Sequence, residues 1–198
     1  MGPVTSTARP HQAVATRDRI LAAAVDLTSR TGWAKVTMAR LADEVGVSRQ
    51  TVYNEIGTKN VLAEAMVQRE LEAFLSVVGT AFDEHPDDLQ AAVVAASRGV
   101  LDRAQDNPLL HAVASATHGA DTELLPLLTT HAGSLLAVAK MVVGERVASF
   151  DVALGARDLD AAIDTVVRVV LSHVMQPSGP PAQTADDIGW VATRVLRG

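Results

Sequence analysis

The 198-residue chain contains no cysteine, which excludes disulfides, thiol catalysis and cysteine metal centres and agrees with a reducing compartment. Aromatic side chains are scarce: three Phe, two Trp and one Tyr, 3% of the residues against 48% hydrophobic overall. The core must therefore be built from Ala, Val and Leu, and runs such as Leu21–Val25 and Ala91–Ala96 favour helix. Sustained period-two alternation is missing, so no sheet is predicted. There is no span of about 20 apolar residues, and the opening MGPVTSTARPHQ has no apolar segment. The chain is read as neither secreted nor membrane-spanning, hence cytoplasmic.

Catalytic motifs are equally absent: no His-Glu-x-x-His pair, no Gly-x-Ser-x-Gly elbow, no glycine-rich phosphate loop. The histidines, His11, His85, His111, His118, His131 and His173, are scattered. His111 and His118 share roughly one helical side, but lone helical histidines are mostly capping or surface groups. The expectation is no metal, no cofactor and no enzymatic activity.

What is present lies between Thr37 and Lys59, TMARLADEVGVSRQTVYNEIGTK. Met38, Leu41, Ala42 and Val45 recur at the spacing of one buried helical face, with Thr37 as N-cap. Gly46 permits a sharp reversal, Val47 plugs the angle, and Ser48 caps a second helix whose Val52 and Ile56 face inward. Arg49 with Tyr53, and Gln50 with Asn54, then form outward i,i+4 pairs. Arg grips guanine bidentately, Gln and Asn pair with adenine, Thr51 reaches a phosphate or a thymine methyl, and a Tyr hydroxyl suits a phosphate oxygen. Lys59, at the start of the next helix, is a phosphate contact, and Thr37, Arg40 and Ser48 complete the candidate DNA-binding set. The net charge of −6 divides unevenly, because eight Lys/Arg against five Asp/Glu give +3 over residues 1–60 and nine against eighteen leave −9 for the rest. The cations thus sit where a duplex would lie.

Further along, residues 1–15 read as a polar, mobile tail, followed by a helix over about Thr16–Arg30. Thr58 caps a long helix carrying Leu62, Met66, Leu71, Phe74 and Val78. Pro86 stands at the first turn of a helix through about Gln105, Asn107-Pro108 opens a short helix through Ala116, and residues from Asp121 to about Ser149 form another. Ile163, Val166, Val167, Val170, Leu171 and Val174 make a full stripe on one helix. After Gln176-Pro177-Ser178-Gly179-Pro180-Pro181, Thr184 and Asp187 have capping-box spacing, and Ile188, Val191, Ala192 and Val195 make a second stripe.

Several of these elements occur in the order and spacing of a known pattern: Arg19-Ile20-Leu21, Thr31-Gly32-Trp33, Val36-Thr37-Met38, Leu41-Ala42, Gly46-Val47-Ser48, and Tyr53 through Ile56 to Thr58-Lys59. Residues 16–66 resemble the N-terminal domain of the TetR family of bacterial regulators. Departures are Ile56 where an aromatic is usual, Asn54 and Glu55 where His or an aromatic is common, and Gly57 where Pro is frequent. Tyr53–Lys59, with Gln176-Pro177-Ser178-Gly179, looks like an actinobacterial branch regulating alkane and fatty-acid genes. The resemblance implies an all-α fold of about nine helices, with a helix-turn-helix domain at 16–62 and a helical bundle for ligand binding and dimerisation at 63–198. It implies an inverted-repeat DNA operator, a homodimer formed by the last two helices through Ile163, Val167, Val170, Leu171, Val174, Ile188, Val191 and Val195, and repression relieved by a small hydrophobic effector, such as a fatty-acid or alkane derivative. Candidate pocket residues are Phe74, Leu101, Leu110, His111, Ala114, Thr117, Leu128 and Leu135. A competing reading is a helical carrier of an apolar molecule that does not bind an operator, with Glu55 as a carboxylate misplaced beside a polyanion.

Overall fold

The computed structural model describes residues 8–111 and 132–197, and every regular element in those segments is helical. The first elements are α1 (Ala8–Thr31), a 3-10 turn (Trp33–Lys35), α2 (Met38–Val45), α3 (Arg49–Ile56) and α4 (Lys59–Glu84). Then come α5 (Leu89–Gln105), a helical turn at 108–111, α6 (Ala132–Val147), α7 (Ala156–Met175) and α8 (Pro181–Arg197). The chain forms two compact units, one division falling between Arg69 and Glu70, within α4, and another between Leu110 and His111, so that His111 groups with the first unit.

In the first unit α1 packs on both α2 and α3. Ile20, Ala24, Leu27, Leu41, Val52 and Leu62 are fully buried, and Trp33 and Val36 close the core from the 3-10 turn. Burial of each large side chain contributes about 1.5–3 kcal/mol. The eight-residue helices α2 and α3 need it, since helices that short do not hold alone in water. α1 starts at Ala8 rather than near Thr16. Pro10 falls in its first turn, where backbone N–H groups lack intrahelical partners anyway, so the helix tolerates it. The remaining expected tail, residues 1–7, lies outside the described residues.

The second unit is built around α5, which packs chiefly on α8 and also on α7. Its core includes Val78, Phe82, Val93, Val100, Val147, Ile163, Val167 and Leu196, with the Phe82 and Phe150 rings edge to face at 6.0 Å. Gly189 of α8 sits directly against Val94 of α5, and Gly99 of α5 against Val77 of α4. α5 begins at Leu89 rather than Pro86 because the Asp88 carboxylate accepts from the Ala91 N–H at 3.0 Å and sets the N-cap there. Asn107 does open a helical turn, its Oδ1 accepting from the N–H groups of Leu109 and Leu110, both at 3.0 Å. The expected end of that helix at Ala116, and the expected helix start at Asp121, lie outside the described residues.

α8 begins at Pro181, so Thr184 and Asp187 are interior to the helix and form no capping box. The Pro180 carbonyl accepts from the Thr184 N–H at 3.0 Å. Proline suits the first helical position, where its fixed φ is pre-set and no donor is lost.

Candidate nucleic-acid interface

The reversal between α2 and α3 is set by three local devices. The Thr37 hydroxyl accepts from the Arg40 N–H at 3.2 Å, and the Ser48 hydroxyl accepts from the Thr51 N–H at 3.0 Å while lying 2.8 Å from the Thr51 hydroxyl. Between them Gly46 takes a left-handed conformation, φ 72 and ψ 39, which an L side chain adopts only at a cost. That conformation lets the N–H groups of Gly46 and Val47 both reach the Ala42 carbonyl, at 2.9 and 3.0 Å, closing α2. α3 can then start at once.

On α3, Val52 and Ile56 are buried, whereas Arg49, Gln50, Tyr53 and Asn54 are exposed, Tyr53 by 53%. Gln50 Nε2 donates to Asn54 Oδ1 at 2.9 Å. That bond leaves the Gln50 carbonyl oxygen as an acceptor and the Asn54 amide as a donor, which is the complement of an adenine edge in the major groove.

The other predicted contact residues have partners inside the protein. The Arg40 guanidinium donates to the Lys35 carbonyl at 2.9 Å and to the Thr31 hydroxyl at 3.5 Å, bracing the 3-10 turn. The Lys59 ammonium lies 4.9 Å from the centre of the Trp33 ring, a cation–π contact. Thr37, Ser48 and Thr51 shape helix starts, and the exposed face of α3 is made by Arg49, Gln50, Tyr53 and Asn54.

Two arginines have a role that sequence reasoning missed. Arg17 Nη1 donates to the Glu55 carbonyl in the last turn of α3, and Arg19 Nη2 donates to the Val45 carbonyl at the end of α2 at 2.5 Å. Arg69 in turn donates to the Asp18 carbonyl at 3.0 Å. Arg30 bridges Asp26 and Glu44, which raises its guanidinium pKa, Asp26 contributing most. No sequence signal marks a main-chain carbonyl 38 residues away as a partner.

Comparison with known proteins agrees with this geometry. Residues 20–66 match the family model for bacterial regulatory proteins of the tetR family, and residues 88–194 match the model for the bacterial tetracyclin repressor C-terminal domain. The chain belongs to the TetR family. Among relatives of this TetR-family transcriptional regulator is the HTH-type transcriptional regulator AlkX of Mycobacterium tuberculosis, 27% identical over 177 residues that cover 89% of this chain and 83% of the relative. The crystal structure of the TetR family repressor AlkX from a Dietzia species, implicated in biodegradation of n-alkanes, superposes with a TM-score of 0.69 at 27% identity, covering 90% of this chain and 94% of that one. FadR from Bacillus subtilis, solved in complex with stearoyl-CoA, shares the fold: TM-score 0.58, 14% identity, 88% and 96% coverage.

The C-terminal candidates are placed unevenly in this TetR-family chain. Leu101 is buried, Phe74, Leu110 and Leu135 are half-buried, and His111 is exposed, while Ala114, Thr117 and Leu128 lie outside the described residues. Phe74 is not in wholly apolar surroundings: the Arg103 guanidinium lies 5.4 Å over its ring, and the Glu70 carboxylate accepts from Arg103 at 3.3 Å and from Asn107 at 2.6 Å. On the last two helices, Ile163, Val167 and Ile188 are buried in the chain's own core, and Val170 and Val174 are half-buried. Leu171, Val191 and Val195 are exposed, together with Met175 and Trp190, which the sequence stripes left out. Among the described residues no three His, Asp or Glu side chains gather as a metal site, and no helix is long and apolar enough to cross a membrane.

Proposed function

We propose that this TetR-family regulator is a ligand-responsive repressor that binds an inverted-repeat operator as a homodimer, acts in the cytoplasm, and is released by a small hydrophobic effector. The observation that carries the reading is the face of α3, where Arg49 and the bonded pair Gln50–Asn54 stand outward on a helix seated by Val52 and Ile56. In this reading residues 16–62 bind DNA, and residues 63–198 bind the effector and form the dimer. Leu171, Met175, Trp190, Val191 and Val195 support the dimer, because apolar side chains left exposed on two adjoining helices are the material of an interface. Similarity to AlkX, whose Dietzia form is implicated in biodegradation of n-alkanes, supports an alkane-related effector. Such an effector must bind the non-operator conformation more tightly, since equal affinity for both states shifts nothing. α4, which begins in one unit and ends in the other, is the element that would carry the signal.

The test is selection of bound duplexes from a random pool, followed by titration of the recovered site with wild type and with Arg49→Ala and Gln50→Ala. Recovery of an inverted repeat is expected, with each substitution relaxing preference at particular base pairs by about 1–3 kcal/mol. A chain that recovers no preferred sequence but retains alkanes or fatty acids would instead be a carrier.

A further inference from the structure

The geometry points to Arg17 as a positioning residue for base reading: from α1 it holds the C-terminal end of α3, and so sets the angle at which Gln50 and Asn54 meet a base edge. This inference rests on the operator-binding reading above.

Glu55 lies in the last turn of α3, where carbonyls have no intrahelical donor, and the Arg17 guanidinium supplies one. Only Val52 and Ile56 seat α3 in the core, a single stripe about which a short helix can pivot. At about 1.5 Å rise per residue α3 is about 12 Å long, so a pivot of about 5° about its Ser48-capped start shifts the end that carries Asn54 and Glu55 by up to about 1 Å. Hydrogen bonds to base edges tolerate about 0.5 Å of donor–acceptor spread, so a pivot of that size breaks them. Arg17 removes the freedom. Arg19 fixes the end of α2 in the same way, and Arg69 secures the α1 backbone between the two arginines by donating to the Asp18 carbonyl. Arg17 and Arg19 thus serve the reading helices through main-chain carbonyls, although charge counting alone places them with the cations that face a duplex.

The experiment compares wild type, Arg17→Ala and Arg17→Lys on the selected operator and on a scrambled duplex across a salt series, with Lys59→Ala as the phosphate-contact control. For Arg17→Ala, loss of one charge-assisted bond is expected to lower operator affinity about tenfold or more. Affinity for the scrambled duplex and the slope of log affinity against log salt should stay at wild-type values. Base preference opposite Gln50 and Asn54 should flatten, and Arg17→Lys, which keeps one donor, should recover part of it. For Lys59→Ala the slope should fall by about one per subunit. Equal weakening on both duplexes by Arg17→Ala, with the slope reduced as in the control, would show that Arg17 touches phosphate and overturn the inference; so would unchanged operator affinity. Should Arg17→Ala lose its helical circular dichroism at the assay temperature, Arg17→Met, which keeps an aliphatic stem but no donor for the Glu55 carbonyl, decides, since a folded Arg17→Met with unaltered base preference is equally adverse. A wild type without sequence preference removes the operator reading itself, a result distinct from a selective wild type that ignores Arg17.

Discussion

Replacing Gly189 by alanine sets two effects of similar size against each other. Alanine is about 1 kcal/mol better than glycine inside a helix. A Cβ at position 189, however, would stand 2.2 Å from Val94 Cγ2, 3.5 Å from its Cβ and 3.7 Å from its Cα, all on the facing helix α5. Val94 is β-branched and, being helical, has essentially one χ1 rotamer, so its methyl cannot swing clear and α8 must move off α5. Overpacking of this kind costs about 1–3 kcal/mol and occasionally more; with the close backbone behind Val94, the upper part of that range applies and exceeds the propensity gain. The net expectation is destabilisation of about 1–2 kcal/mol, a fall in Tm of about 2–8 °C for a chain of this size. Calorimetry at a fixed protomer concentration measures it, since self-association makes Tm concentration-dependent. Val94→Ala in the same chain should remove the clash and make Gly189→Ala neutral or stabilising. A Tm for Gly189→Ala alone at or above wild type would refute the reasoning.

Two further outcomes follow from the surface of the second unit. Leu171→Asp with Val191→Asp places carboxylates on side chains 43% and 50% exposed in the protomer, so the fold should persist while the dimer dissociation constant rises on the order of a hundredfold or more; wild-type mass by light scattering would place the interface elsewhere. Asp164 has its pKa lowered, first by its bond to Arg168 and then by Lys140, and Lys140 has its pKa raised by Asp160 and Asp164. A lowered carboxyl pKa stabilises at neutral pH and that contribution is lost as pH falls below about 4, whereas the raised Lys140 loses its share only as pH rises through the lysine range. Asp164→Asn should therefore flatten the acid limb of Tm against pH at low salt, and 1 M NaCl should erase the difference between the two proteins; an unchanged acid limb at low salt would count against the network.

Local signals were readable in the chain and long-range ones were not. Thr37, Ser48 and the left-handed Gly46 act within three or four residues of themselves, so their types and spacing disclosed the turn. The starts of α5 and α8 differ from the sequence expectation because two local signals compete at each, Pro86 against Asp88 and the Thr184–Asp187 pair against Pro181, and residue type alone does not rank them. The stripe from Ile163 to Val174 was visible as apolar, but periodicity does not say what covers it. The helix turns Ile163 and Val167 into its own core and leaves Leu171 outside. Arg40 and Lys59 were identified by charge, yet their observed partners, the Lys35 carbonyl and the Trp33 ring, depend on how the chain folds back.

The division of labour on α3 bears on how such a regulator changes its target. Val52 and Ile56 hold the helix and the Glu55 carbonyl receives Arg17, while the side chains at 49, 50, 53 and 54 carry none of the core. A library randomised at those four positions should return mostly folded proteins with new operator preferences. Moving residues 49–56 into a different scaffold should transfer the letters without the grammar, since the segment's orientation is written in α1.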